Sequence, residues 1–250
     1  MRSVAILRID NRDAGRTFRI VARVSKQNGK DPLLSAICHD LRAPLAAVTM
    51  GANFVLQTLE DENERQRKIL EAMLRSCAQM ERLVRNFADL SEIEGFAVHL
   101  RLGTHDAGEM IELAAEAAKP AADARSVTIE IDRPKQNASV ECDRERVLRA
   151  IHHLLDNAIK FAPEHSTVTL AVEAKDGEVV FCVIDHGAGL DAATKKNLFD
   201  RHFHAKRASR VGSGFGLAIA RGFAKAHGGD VTIDSKKGRT VAKLSVADQL

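Results

Sequence analysis

The chain has 250 residues, 45% of them hydrophobic and 28% charged, enough apolar content to bury a core. A net charge of +3, from 37 basic against 34 acidic residues, carries no nucleic-acid signature. There is no Trp and no Tyr, so the cores are aliphatic with ten Phe, and the four cysteines (Cys38, Cys77, Cys142, Cys182) have no metal-like spacing. No apolar run approaches the ~20 residues that cross a bilayer, and the expectation is a cytoplasmic protein without a transmembrane segment.

Residues 1–31 form a basic N-terminal segment, with eight basic residues against two acidic ones among the first thirty. Alternation over Phe18–Val24, with Val4–Ile9 as partner, predicts a β-hairpin too small to stand alone. It is a candidate contact for a sensor or partner, although a solvated basic face explains the charge as well.

Asp31 and Pro32 open a helix that runs to about Leu59. Leu41, Leu45, Val48, Ala52, Val55 and Leu59 share one face. His39, beside Asp40, falls on the opposite, solvent side, and Pro44 interrupts the hydrogen bonding one turn later. Taken alone, His39 is an ordinary surface histidine. A polar turn at 60–64 leads into a second helix, 64–94. Its predicted stripe is Ile69, Met73, Cys77, Met80, Leu83 or Val84, Phe87 and Leu90. Two antiparallel helices with one stripe each make half a core, so residues 32–95 are predicted to dimerise as a four-helix bundle.

Beyond Gly95 the pattern changes. Strands are predicted at 98–102, 127–131, 138–142, 167–174, 178–184, 231–235 and 240–246. Helices are predicted at 106–124 (interrupted near Pro120), 143–161, 191–199 and 215–227. The mixture points to an open sheet with helices on one face, an α/β sandwich over 98–250.

Three short signals here carry chemistry. Asn157 and Lys160 share a helix; the amide oxygen suits a hard cation such as Mg²⁺ and the ammonium a phosphate. Asp185-His-Gly-Ala-Gly189 ends a strand, placing an acid beside a turn where a planar ring can approach the backbone; an ordinary tight turn reads equally well. Gly212-Ser-Gly-Phe-Gly216 opens a helix whose N–H groups can meet an anion.

In order, these motifs resemble the transmitter core of sensor histidine kinases of two-component signalling. His39-Asp-Leu-Arg-Ala-Pro-Leu45 resembles the H-box and His153-Leu-Leu-Asp-Asn-Ala-Ile-Lys-Phe161 the N-box. Asp185-x-Gly-x-Gly189 and Gly212-x-Gly-x-Gly216 resemble the glycine boxes, and Phe199–Phe203 the phenylalanine box. Gly238-Arg-Thr240 resembles the last motif. The resemblance covers about residues 32–247. It implies a dimerisation and histidine-phosphotransfer domain (32–95) followed by a Bergerat-type ATP-binding domain (98–250). It implies ATP and Mg²⁺ as ligands, with His39 as the phosphorylated nucleophile and Asp40 orienting or deprotonating it. Asp185 would hydrogen-bond the adenine amino group, Thr240 would help through water, and Lys160 would steady the phosphates. Gly187, Gly189, Gly212, Gly214 and Gly216 would shape the loops. Asn157 would hold the metal, with His153 its candidate second ligand. The implied partner is the receiver domain of a response regulator, whose aspartate takes the phosphoryl group in a phosphorelay.

Two departures stand out. His153 occupies a place where relatives usually carry Asn, and imidazole prefers softer ions than Mg²⁺. Ala43 replaces the Thr or Asn that positions water for regulator dephosphorylation in many relatives, which implies weak phosphatase activity. Two alternatives share this fold. One is a non-catalytic phosphotransfer or scaffold protein with a degenerate ATP site, favoured by His153. The other is an ATP-driven switch without phosphohistidine, disfavoured by the H-box.

Overall fold

The computed structural model describes residues 41, 44, 47, 48, 50, 51, 54, 55, 64–94, 98–133, 138–175, 177–199 and 214–247. The segment 1–31, His39, Asp40, Ala43, Phe203 and Gly212 lie outside the described residues. Two compact units are present, one made by the helices up to Ser91, the other by residues from Glu92 onward, Arg201–Phe215 excepted.

In the first unit, Leu41, Pro44, Ala47, Val48, Met50, Gly51, Phe54 and Val55 are helical. Helix α1 spans Glu64–Glu94, the predicted second helix. A Cβ built on Gly51 would lie 2.5 Å from the Met73 side chain and 3.4 Å from that of Ile69. The absent side chain thus lets the two helices of the hairpin approach closely. The apolar residues of α1 form two stripes rather than one. Ile69, Met73 and Met80 are half-buried and Leu83 and Leu90 buried. Leu70, Leu74, Cys77, Val84 and Phe87 are exposed. The predicted single stripe therefore merged an inward and an outward set, and Cys77 and Phe87 lie uncovered in the single chain.

The second unit begins with strand β1 (Gly103–Asp106) and helix α2 (Ala107–Asp123). Strands β2 (Thr128–Asp132) and β3 (Ser139–Cys142) precede helix α3 (Arg144–Phe161). The hairpin β4 (Thr167–Lys175) and β5 (Glu178–Asp185) leads to the short helix α4 (Ala192–Lys196). Helix α5 (Gly216–Ala226) and strands β6 (Val231–Lys236) and β7 (Arg239–Ala247) complete it. Five strands form one sheet in the order β2-β4-β5-β7-β6, with β2 and β4 parallel and the other pairs antiparallel. The open sheet expected from sequence is thus present, but β1 and β3 leave it and make a separate antiparallel ribbon.

Side chains alternate across the sheet. Phe181 and Val183 of β5, Ala242, Leu244 and Val246 of β7, and Val231 of β6 are buried. The registers Phe181↔Leu244↔Val231 and Val183↔Ala242↔Ile233 stack them in rows on one face. Helices α3 and α5 cover that face with Ile151, Leu154, Leu155, Ile219 and Phe223. Thr232 and Asp234 point to the other face and are exposed, and there Lys243 pairs with Glu173 at 3.5 Å.

Local chemistry sets the helix starts. Asp106, Asp143 and Asp191 each cap a helix by accepting from the N–H three residues on. Asp143 is tied further: Oδ2 accepts from Arg101 N–H at 2.9 Å, and its own N–H donates to His227 Nε2 at 3.0 Å. The other ring nitrogen, His227 Nδ1, donates to Phe223 O at 2.7 Å, so both ring positions are satisfied. Pro120 does not interrupt α2 as predicted. It lies on the exposed side of the last turn, where the Glu116 carbonyl it leaves without a donor can meet water.

Candidate functional site

The rows of the sheet end in polar residues. One step beyond Val183↔Ala242↔Ile233, the register places Asp185 of β5 opposite Thr240 of β7, and Thr240 opposite Ser235 of β6. By the two-residue period all three project from the helix-covered face. Asp185 is buried, which pushes its carboxyl above the usual carboxylate range; Oδ1 accepts from Gly187 N–H at 2.8 Å and partly offsets this.

The first glycine box is held by close approaches. A Cβ on Gly187 would lie 2.7 Å from Phe161 O, the last residue of α3. A Cβ on Gly189 would lie 2.7 Å from Lys236 O, and its φ is +81°. Ser235 Oγ accepts from Leu190 N–H at 2.9 Å, and Lys195 Nζ donates to Ser235 O at 2.5 Å. The loop after Asp185 is therefore laid across the end of α3 on one side and the β6–β7 turn on the other.

Helix α3 supplies the other wall. His153, Asn157 and Phe161 recur every four residues and share one face, with Lys160 beside it. At the near end, Phe161 O touches Gly187. At the far end, a Cβ on Gly216, the first residue of α5, would sit 3.1 Å from His153 Nδ1. One face of α3 thus joins the two glycine boxes, with Asn157 between them. From residue 153 to 161 it spans about 12 Å. Burial holds the Lys160 ammonium below the usual lysine range, Asp156 working against it. The Lys160 Nζ lies 5.4 Å from the Phe161 ring centroid.

His153 is half-buried and differs from the buried His227. Its Nε2 is buried without a hydrogen-bond partner, whereas both nitrogens of His227 are bonded. Burial first, then His152 and Arg149, push its pKa down to about 4, so the ring is neutral. A neutral imidazole nitrogen is a poor ligand for Mg²⁺, while the Asn157 amide oxygen suits it. Among the described residues no cluster of three His, Cys, Asp or Glu could hold a metal on its own.

The structure brings together Asp185, Gly187, Gly189 and Thr240 at one end of the α3 face, and Gly216 at the other. Gly214 has φ +72°. Of the phenylalanine box, Phe199 lies under the Arg221 guanidinium, 4.4 Å from ring centroid to Cζ, and Arg221 makes a two-pronged pair with Asp230 at 2.6 and 2.9 Å. Sequence reading missed Ser235, Arg221 and Asp230. Their roles come from pairing across strands and helix, and no local motif announces them.

Two family models match the chain. Residues 30–96 match the His Kinase A (phospho-acceptor) domain, and residues 142–247 the histidine kinase-, DNA gyrase B-, and HSP90-like ATPase. The adaptive-response sensory kinase SasA of Synechocystis is 31% identical over 83% of this chain and 56% of its own length. Histidine protein kinase DivJ of Caulobacter vibrioides is 28% identical over 84% of this chain and 36% of its own. The chain spans between 26 and 56% of the first curated relatives it matches. The histidine kinase AdeS of Acinetobacter baumannii shares the fold with a TM-score of 0.69 at 19% identity, over 85% of this chain and 98% of that one. Among the described residues no helix is long and apolar enough to cross a membrane. With its phospho-acceptor and ATPase domains in that order, the chain belongs to the sensor histidine kinase family.

Proposed function

We propose that the chain is an ATP-dependent histidine protein kinase that phosphorylates His39 and passes the phosphoryl group to an aspartate of a response regulator's receiver domain. The observation that carries the reading is the α3 face, which links Asp185, Gly187 and Thr240 at one end to the N-terminus of α5 at Gly216 at the other. Asp185 accepts from the adenine amino group, Lys160 steadies the phosphates, and α5 offers unpaired N–H groups to their negative charge. Asn157 would hold Mg²⁺, which screens the phosphate charge when bound. Nitrogen of His39 attacks the γ-phosphorus, the P–O bond to ADP breaks, and the imidazole proton passes to Asp40. The receiver aspartate then displaces the histidine. Little covalent work falls to the protein; alignment does most of it.

The outward stripe of α1 (Leu70, Leu74, Cys77, Val84) is the surface we assign to a second copy. Two such hairpins bury it as a four-helix bundle. The rival reading, a phosphotransfer protein that no longer uses ATP, draws on His153. The close-approach glycines weigh against it, because a decayed site does not need backbone within contact of Phe161 and Lys236.

The test is incubation with γ-labelled ATP and Mg²⁺. Acid-labile, alkali-stable label that disappears in His39→Ala is the expected result. ATP binding without label in the wild type would refute the kinase reading.

A further inference from the structure

Ser235 is buried, at 5% exposure, yet carries a hydroxyl at the end of the Asp185–Thr240–Ser235 row. Its Oγ accepts from Leu190 N–H at 2.9 Å and lies 3.1 Å from Thr240 Oγ1. Either hydroxyl can be the donor in the second contact. Among the described residues, however, Thr240 Oγ1 is the one acceptor recorded for the Ser235 proton. A buried hydroxyl proton left unpaired is destabilising. The arrangement that avoids this has Leu190 donating to Ser235 and Ser235 donating to Thr240. The Thr240 hydroxyl, less buried than Ser235, is then left with its own proton to give away.

The geometry points to Ser235 as a specificity-determining residue that fixes Thr240 as a hydrogen-bond donor beside the acceptor Asp185. The pair presents acceptor and donor side by side along one sheet row. That pattern matches the edge of adenine, where the amino group donates and N1 accepts. It mismatches guanine, where O6 accepts and N1–H donates. Ser235 touches no base in this arrangement; it acts through Thr240, and the Leu190 bond orders the first glycine loop at the same time. The inference rests on the nucleotide reading given above and adds to it which group sets the polarity of the base seat.

The experiment is calorimetric titration of the full chain with ADP and with 1-deaza-ADP, which lacks the N1 acceptor. In the wild type, removing N1 should weaken binding about five- to tenfold, the worth of one ordinary hydrogen bond. In Ser235→Ala, the Thr240 hydroxyl is no longer held as a donor, so ADP should weaken and the penalty for removing N1 should fall below its wild-type value. Thr240→Val, which has no hydroxyl, should ignore N1 without disturbing Leu190, which keeps the test valid if Ser235→Ala folds poorly. A purely structural Ser235 would weaken both ligands equally and leave the N1 penalty intact; that result overturns the proposal. A wild type that binds ADP but ignores N1 overturns it too, while sparing the nucleotide reading. A wild type that does not bind ADP overturns the nucleotide reading itself, and this proposal with it.

Discussion

Gly187 offers a sharp perturbation of the site, because its neighbour is backbone rather than a side chain that can step aside. An added Cβ would stand 2.7 Å from Phe161 O and 2.9 Å from Asp185 Oδ1. Either the end of α3 or the loop must shift by several tenths of an ångström, and the Gly187 N–H bond to Asp185 at 2.8 Å moves with it. Overpacking of this kind costs about 1–3 kcal/mol, and the displaced loop should weaken ADP by about tenfold or more. Gly177 is the control. It has φ +79° and nothing within 4 Å of its added Cβ, so Gly177→Ala carries backbone strain alone and lies in the β4–β5 turn. It should cost about 1 kcal/mol in urea unfolding and leave ADP affinity unchanged. Calorimetry and urea denaturation of both variants separate the effects. If Gly187→Ala folds and binds ADP as the wild type does, the base seat is not where Asp185 and Gly187 place it.

Asp185→Asn keeps the shape but turns a donor toward the base; ADP affinity should fall about 10- to 100-fold by calorimetry, with thermal stability nearly kept. His153 is held to about 4 against an ordinary 6.5, so the unfolded chain binds its proton more readily. Stability from this group is complete above pH 6.5 and declines as pH falls toward 4, by up to about 3 kcal/mol. Urea midpoints at pH 7 and 4.5 should therefore fall less in His153→Asn than in the wild type; equal falls would refute a ring held neutral by its surroundings. Leu74 and Val84, 69% and 57% exposed, should support the dimer, so Leu74→Glu with Val84→Glu should yield a monomer by light scattering.

The bounds of α1 were legible because an acidic, polar break precedes an unbroken apolar period. The strand predicted at 98–102 was not. Val98 and Leu100 alternate correctly, but a strand needs a partner, and among the described residues β3 pairs with Gly103–Asp106 instead. The division of α1 into two stripes was hidden for a similar reason: periodicity reports that residues share a face, not which neighbour covers it. Asn157, Lys160, Asp185 and the glycine boxes were legible because each motif is local. Ser235 was not, since its meaning depends on the register of β6 against β7. His153 was visible as an odd residue, but its position against Gly216 required the packing of α3 on α5.

The buried and half-buried polar groups of the second unit fall into two kinds, and the difference separates scaffold from site. Asp143 and His227 bond each other and the chain around them through Arg101, Arg146 and Phe223. Such groups lock the junction of β3, α3 and α5 and ask nothing of a ligand. Along the α3 face the pattern reverses. Burial pushes Asp185 and Lys160 toward their neutral forms, and His153 keeps a nitrogen without a partner. Each opposes folding to some degree, and they follow one line between the two glycine boxes. A fold tolerates such groups where a ligand completes them. An amino donor at the Asp185 end and negative charge near the N-terminus of α5 would complete them, which is the chemistry of the nucleotide polyphosphate we propose as the ligand.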